Sequence, residues 1–151
     1  MPNKNIKDYL QENKVKWKTI PHTPWYTAQE IAASAHVAGK RLAKTVIIKL
    51  GEELAMVVLP AYEHVNFSQI KEITGESDVD LARESDFKSR FPECEVGAMP
   101  PFGNLYDMKV FVSNNLSHDQ IAFNSGSHSE LMEISYKDFI DLVKPKIITS
   151  H

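Results

Sequence analysis

Cysteine is almost absent: Cys94 is the only one among 151 residues. No disulfide can form within the chain, and no Cys-x-x-Cys pair exists to hold zinc. Long apolar runs are also missing. None approaches the about 20 residues that a membrane-crossing helix needs. The first residues, Met1-Pro2-Asn3-Lys4-Asn5-Ile6-Lys7, lack the apolar core of a signal peptide. These features predict a cytoplasmic protein without a membrane partner. Excess positive charge is lacking too: the formal net charge is −3, so the whole molecule does not advertise a nucleic-acid partner, and DNA is not expected. Contact with RNA would have to use a local basic patch, and two candidates exist. One is Lys40, Arg41, Lys44 and Lys49; the other is Lys14, Lys16 and Lys18. Surface lysines that only keep a protein soluble are the plainer reading of each.

Several catalytic signatures are missing as well. There is no Walker loop, no dinucleotide fingerprint, no His-Glu-x-x-His and no Gly-x-Ser-x-Gly elbow. Six histidines are present, but no two stand four apart on an expected helix. No metal and no cofactor are predicted. Cys94 reads more readily as a small semi-buried thiol than as a nucleophile.

What is present reads as short strands and short helices in one unit spanning residues 1–151. Ile6, Tyr9 and Leu10 have helical spacing. Val15, Trp17 and Thr19 alternate with lysines, as in a half-buried strand. Thr27-Ala28-Gln29-Glu30 has the capping-box form and predicts a helix after it. Two apolar runs, Thr45–Leu50 and Leu54–Leu59, flank Gly51-Glu52-Glu53 and predict a hairpin. Phe67, Ile70 and Ile73 predict a helix stopped by Gly75. Val79 and Leu81 fit a short strand, and Ser85 is expected to cap a helix carrying Phe87 and Phe91. Three strands should follow, over 108–112, 120–123 and 131–134. Ser135 should cap a last helix, ended by Lys144-Pro145. Strands and helices do not alternate regularly, which argues against a doubly wound parallel sheet. The expected class is α+β, with a mixed, strongly curved, barrel-like sheet flanked by short helices.

Three segments carry possible chemistry. Lys44-Thr45 sets a lysine at the mouth of an apolar strand, where it is either a solvent-facing residue or a cation at a pocket rim. Gly97-x-x-x-Pro101-x-Gly103 combines residues that fix φ with residues that permit close backbone approach. Such a loop is either a tight turn or a donor of backbone N–H groups to a developing oxyanion. Asn124-Ser125-Gly126-Ser127-His128, between two strands, is either a polar hairpin loop or a second pocket wall with His128 as a hydrogen-bonding group.

In this order and spacing the three segments resemble the YbaK / prolyl-tRNA synthetase-associated editing-domain family, over roughly His22 to the end of the chain. The resemblance implies a stand-alone trans-editing aminoacyl-tRNA deacylase. Its substrate would be a small amino acid esterified to the wrong tRNA, with alanine on tRNA-Pro the first choice. The implied partners are the tRNA acceptor end and a cognate aminoacyl-tRNA synthetase. The implied catalytic residues are Lys44, Gly97, Pro101, Gly103 and His128. Lys44 would anchor a phosphate, backbone N–H groups of the 97–103 loop would meet the oxyanion, and the tRNA's own ribose hydroxyl would assist. Met99, Phe102, Gly126 and Ser127 would bind substrate, the first two as apolar walls. A non-catalytic module that holds a tRNA end or a nucleotide is the alternative, since the same lysine and loop would serve it.

Overall fold

The longest β-branched run of the chain builds the longest hairpin among the described residues. Thr45-Val46-Ile47-Ile48 lies within β2 (Ala43–Leu50), and β3 (Glu53–Pro60) returns antiparallel beside it, from Ala43 opposite Pro60 to Leu50 opposite Glu53. Gly51 makes the turn at φ 61, a conformation that favours glycine. The computed structural model describes residues 6–21, 41–91, 99–124 and 130–149. The helix expected after Thr27, and Cys94, lie outside these residues.

β2 and β3 form the middle of a mixed five-stranded sheet of order β4-β2-β3-β5-β8. β4 (Val79–Leu81) pairs antiparallel with β2, β5 (Lys109–Ser113) parallel with β3, and β8 (Lys146–Ile148) parallel with β5. A second, antiparallel sheet has the order β1-β7-β6, from β1 (Lys18–Pro21), β6 (Gln120–Asn124) and β7 (Glu130–Ser135). The two sheets meet at a parallel bridge between Leu42 and Ala122, where the Ala122 N–H donates to the Arg41 carbonyl at 2.7 Å.

The α+β class and the mixed sheet agree with the sequence reading. The curvature is resolved differently: among the described residues there are two sheets joined at a bridge, and no closed barrel. β8 was not expected. Lys146-Ile147-Ile148 is too short to show an alternation, and it becomes a strand because β5 offers it an open edge.

Four α-helices are described: α1 (Ile6–Glu12), α2 (Phe67–Thr74), α3 (Glu84–Phe87) and α4 (Tyr136–Val143). None of them is long and apolar enough to cross a membrane. The Asn66 side chain caps α2 by accepting from the Gln69 N–H at 3.1 Å, and Gly75 at φ 73 ends it. Ser135 caps α4 as expected, accepting from the Asp138 N–H at 3.1 Å. Ser85 does not cap α3. It lies inside the helix, whose N-cap is Arg83, and the Asp86 carboxylate of the first turn accepts the Arg83 N–H at 2.9 Å.

Side chains alternate between the faces of a strand, and the five-stranded sheet has a core on each face. Ala43, Ile47, Met56, Val58, Val110 and Val112 face one cluster. The second sheet covers it with Ile121, Phe123, Met132 and Ile134, while Leu10 of α1 and Phe139 of α4 close its sides. Ile48, Leu50, Ala55, Val57, Leu59 and Phe111 face the other cluster, which Ile70 of α2 covers.

Candidate functional site

Lys44 is the second residue of β2 and stands opposite Leu59 of β3. By strand alternation it shares its face with Val46, Ile48 and Leu50, while Ala43 and Ile47 turn into the other cluster. It is half-buried. Burial pushes its pKa below the ordinary 10.5, and the Glu63 carboxylate opposes that shift without cancelling it.

Glu63 is itself held in place. Its Oε1 accepts from the Ser113 hydroxyl at 2.8 Å and its Oε2 accepts from the Asn115 side-chain amide at 2.6 Å. Ser113 is fully buried at the end of β5, and its Oγ also accepts the Asn115 N–H at 3.2 Å. The end of β5 therefore aims a carboxylate, and the start of β2 supplies a partly desolvated ammonium. The charge of the Glu63 carboxylate acts on the Lys44 ammonium. Glu63, Ser113 and Asn115 were missed in the sequence reading. The available signal was Ser113, a serine closing an otherwise apolar strand.

Of the 97–103 loop, Gly97 and Ala98 lie outside the described residues and residues 99–103 are pinned. Met99, Pro101, Phe102 and Gly103 are all buried. Phe102 is 0% exposed and meets the rings of Tyr9, Phe123 and Phe139 edge-on, at centroid distances of 5.9, 5.6 and 5.8 Å. The expectation that Phe102 walls a substrate pocket does not match this placement. Protein encloses the ring, so Phe102 braces the loop against the core. Gly103 opens a 3₁₀ turn, Gly103–Leu105, and its carbonyl accepts the N–H groups of Tyr106 and Met108, both at 2.9 Å. A Cβ on Gly103 would stand 2.5 Å from Val110 Cγ2 and 3.0 Å from the Met108 carbonyl oxygen. Glycine is needed here for close packing on β5.

Met99 and Phe102 belong to the cluster on the sheet face opposite Lys44. The described residues therefore do not bring Lys44 onto these two side chains. Gly126, Ser127 and His128 lie outside the described residues. The strands they join, β6 and β7, are paired antiparallel up to Asn124 opposite Leu131. Among the described residues no group of three or more His, Cys, Asp and Glu side chains is placed to hold a metal ion.

Residues 22–142 match a family model described as the aminoacyl-tRNA editing domain. The chain is also similar to proline–tRNA ligases. It is 27% identical to that of Bacillus mycoides and 28% identical to that of Bacillus cytotoxicus, in each case over 86 residues, 57% of this chain and 15% of the ligase. The chain thus spans a small part of the ligases it matches. Among solved structures, a hypothetical protein superposes with a TM-score of 0.84 at 22% identity, covering 97% of this chain and 98% of the other. A candidate trans-editing enzyme for prolyl tRNA synthetase superposes with a TM-score of 0.82 at 12% identity, covering 99% and 97%. Both share this fold.

Proposed function

The chain belongs to the aminoacyl-tRNA editing-domain family, and from that premise we propose that it is a trans-editing deacylase. It hydrolyses the ester between a small amino acid and the terminal adenosine of a mischarged tRNA, with alanine on tRNA-Pro the first substrate to try. It works in the cytoplasm and serves a cognate synthetase.

The observation that carries this reading is Lys44. A half-buried ammonium at a strand mouth, whose desolvation the Glu63 carboxylate held by Ser113 and Asn115 offsets only in part, can be stabilised further by an anion. The terminal phosphate of tRNA is such an anion. An aminoacyl ester is already activated, so its hydrolysis needs a placed water, a stabilised oxyanion and an anchored adenosine. Water adds to the ester carbonyl, and the oxygen that becomes negative is met by backbone N–H groups of the 97–103 loop. Gly126 and His128 orient the ester or the water. The tetrahedral intermediate then collapses, releasing the free amino acid and the ribose hydroxyl, and the neighbouring ribose hydroxyl assists the proton transfer. The pocket acts as a second sieve, admitting the small error that a synthetase cannot exclude by binding alone.

Purified protein should release alanine from mischarged tRNA-Pro faster than the ester hydrolyses in buffer, and should spare correctly charged tRNA. Inactivity at micromolar enzyme across a full panel of mischarged tRNAs would remove the deacylase reading and leave a module that binds the tRNA end without chemistry.

A further inference from the structure

A cleft of about 630 Å³ crosses the three-stranded sheet, lined by Lys16, Trp17, Lys18, Arg41, Glu133 and Asp138. Its cations come from the two basic clusters that stand apart in the sequence. Lys16 lies just before β1 and Lys18 opens it, while Arg41 precedes β2 beside the bridge of Leu42 with Ala122. Trp17 lies between the two exposed lysines, half-buried, with part of its ring system on the core. Arg41 faces Asp119 at 3.6 Å, and Asp119 is 82% exposed. The Arg41 Nε is buried and has no hydrogen-bond partner, a state that folded proteins seldom leave unresolved. Lys16, Trp17 and Lys18 precede residues 22–142, which match the editing-domain model.

We infer that this cleft binds a nucleotide of single-stranded RNA, with the base stacked on Trp17 and the phosphate among Lys16, Lys18 and Arg41. The choice of ligand rests on the reading of the chain as a tRNA deacylase. An aromatic face beside clustered cations is the arrangement that holds single strands without regard to sequence. Three carboxylates temper the charge: Asp119 faces Arg41, Glu133 stands opposite Lys18 in the β1–β7 ladder, and Asp138 lies in the first turn of α4. Such a mixed lining favours a ligand that offers N–H donors beside its phosphate, as a base does, over a bare polyanion. Arg41 and Lys44 are three residues apart, so their Cα atoms are separated by no more than about 11 Å. An acceptor strand whose terminal phosphate rests at Lys44 would cross the bridge of Leu42 with Ala122 to reach Arg41. The cleft would hold the strand behind the esterified nucleotide and set its direction of entry.

The test is the affinity of the protein for uncharged tRNA and for a labelled single-stranded RNA of about six nucleotides, read by anisotropy across a salt series. Lys16 and Lys18 are exposed, so the K16A/K18A double variant will fold. It should bind about tenfold more weakly at about 50 mM salt, with the slope of log K against log salt reduced by about 1.4 for two lost phosphate contacts. Trp17→Ala should lose about fivefold or more with the slope unchanged. Lys137→Ala, an exposed lysine of α4 outside the cleft, should change neither quantity. Parent-like binding by the double variant overturns the inference, and so does an equal loss in Lys137→Ala, which would mean that only net charge matters. Because binding is read without turnover, failure of the deacylase reading and failure of the cleft are separate results.

Discussion

The two faces of the five-stranded sheet differ in what they spend their residues on. On the face covered by the second sheet, Phe102, Phe123 and Phe139 interlock edge-on and Gly103 lets the chain lie against Val110. On the other face, near the start of β2, a half-buried lysine stands by a carboxylate held by two polar side chains. The first region lowers the free energy of the fold through burial and packing. The second retains a partly desolvated charge that the fold alone does not require. The contrast teaches where function is to be sought: at Lys44 and Glu63, where burial disfavours a charge, rather than at the aromatic brace.

The sharpest way to break this comparison is Phe102→Ala. Removing a fully enclosed aromatic ring should lower unfolding stability by about 3–5 kcal/mol, through lost burial and the cavity left behind. Urea denaturation measures it. A loss under about 1 kcal/mol would mean that the ring is not part of the core and would return it to the list of substrate walls.

Lys44→Ala should do the opposite, leaving the urea midpoint at or above that of the parent while slowing deacylation. The lost charge-assisted contact is worth about 1.5–3 kcal/mol, or roughly tenfold to more than a hundredfold in rate. Lys44→Arg should retain part of the rate and Lys44→Glu should be slower than Lys44→Ala, because a like charge would then face the phosphate. Melting curves with single-turnover rates decide the matter. If rate and stability fall together the lysine is structural; if neither moves it is a solvent lysine.

The smallest effect is the pH dependence of stability. The folded-state pKa of Lys44 lies below its ordinary value of 10.5 because burial disfavours the ammonium. Between the two values the unfolded chain binds more protons than the folded one, so stability attributable to this group rises as pH climbs through that window. Below the lowered pKa the charged side chain is a standing cost. Lys44→Met should therefore be more stable than the parent at pH 7, and the gap should narrow as pH rises toward 10.5. Paired urea titrations at the two ends measure it, and a gap that widens with pH would refute the desolvated ammonium.

Much of this was readable in advance where the cause is local. The β2–β3 hairpin follows from two β-branched and apolar runs around Gly51. The end of α2 follows from the freedom of Gly75 to adopt positive φ, and the start of α4 from the hydroxyl of Ser135. Lys44 could be singled out because charge at the mouth of an apolar strand is conspicuous. Ser85 misled, since the helix begins two residues earlier than expected, with Arg83 at its N-cap.

By itself, then, the sequence determined the elements whose signals lie within a few residues of one another, and the family, whose motifs are carried by short segments in order. Only the tertiary structure decided the division into two sheets, the addition of β8, and the contact of Glu63 with Ser113 and Asn115. It also decided the meeting of Lys16 and Lys18 with Arg41 in one cleft. Each of these joins residues far apart in the chain. Such pairings depend on which strand edges remain open and which faces are already covered, and those conditions exist only once the other strands and helices have packed.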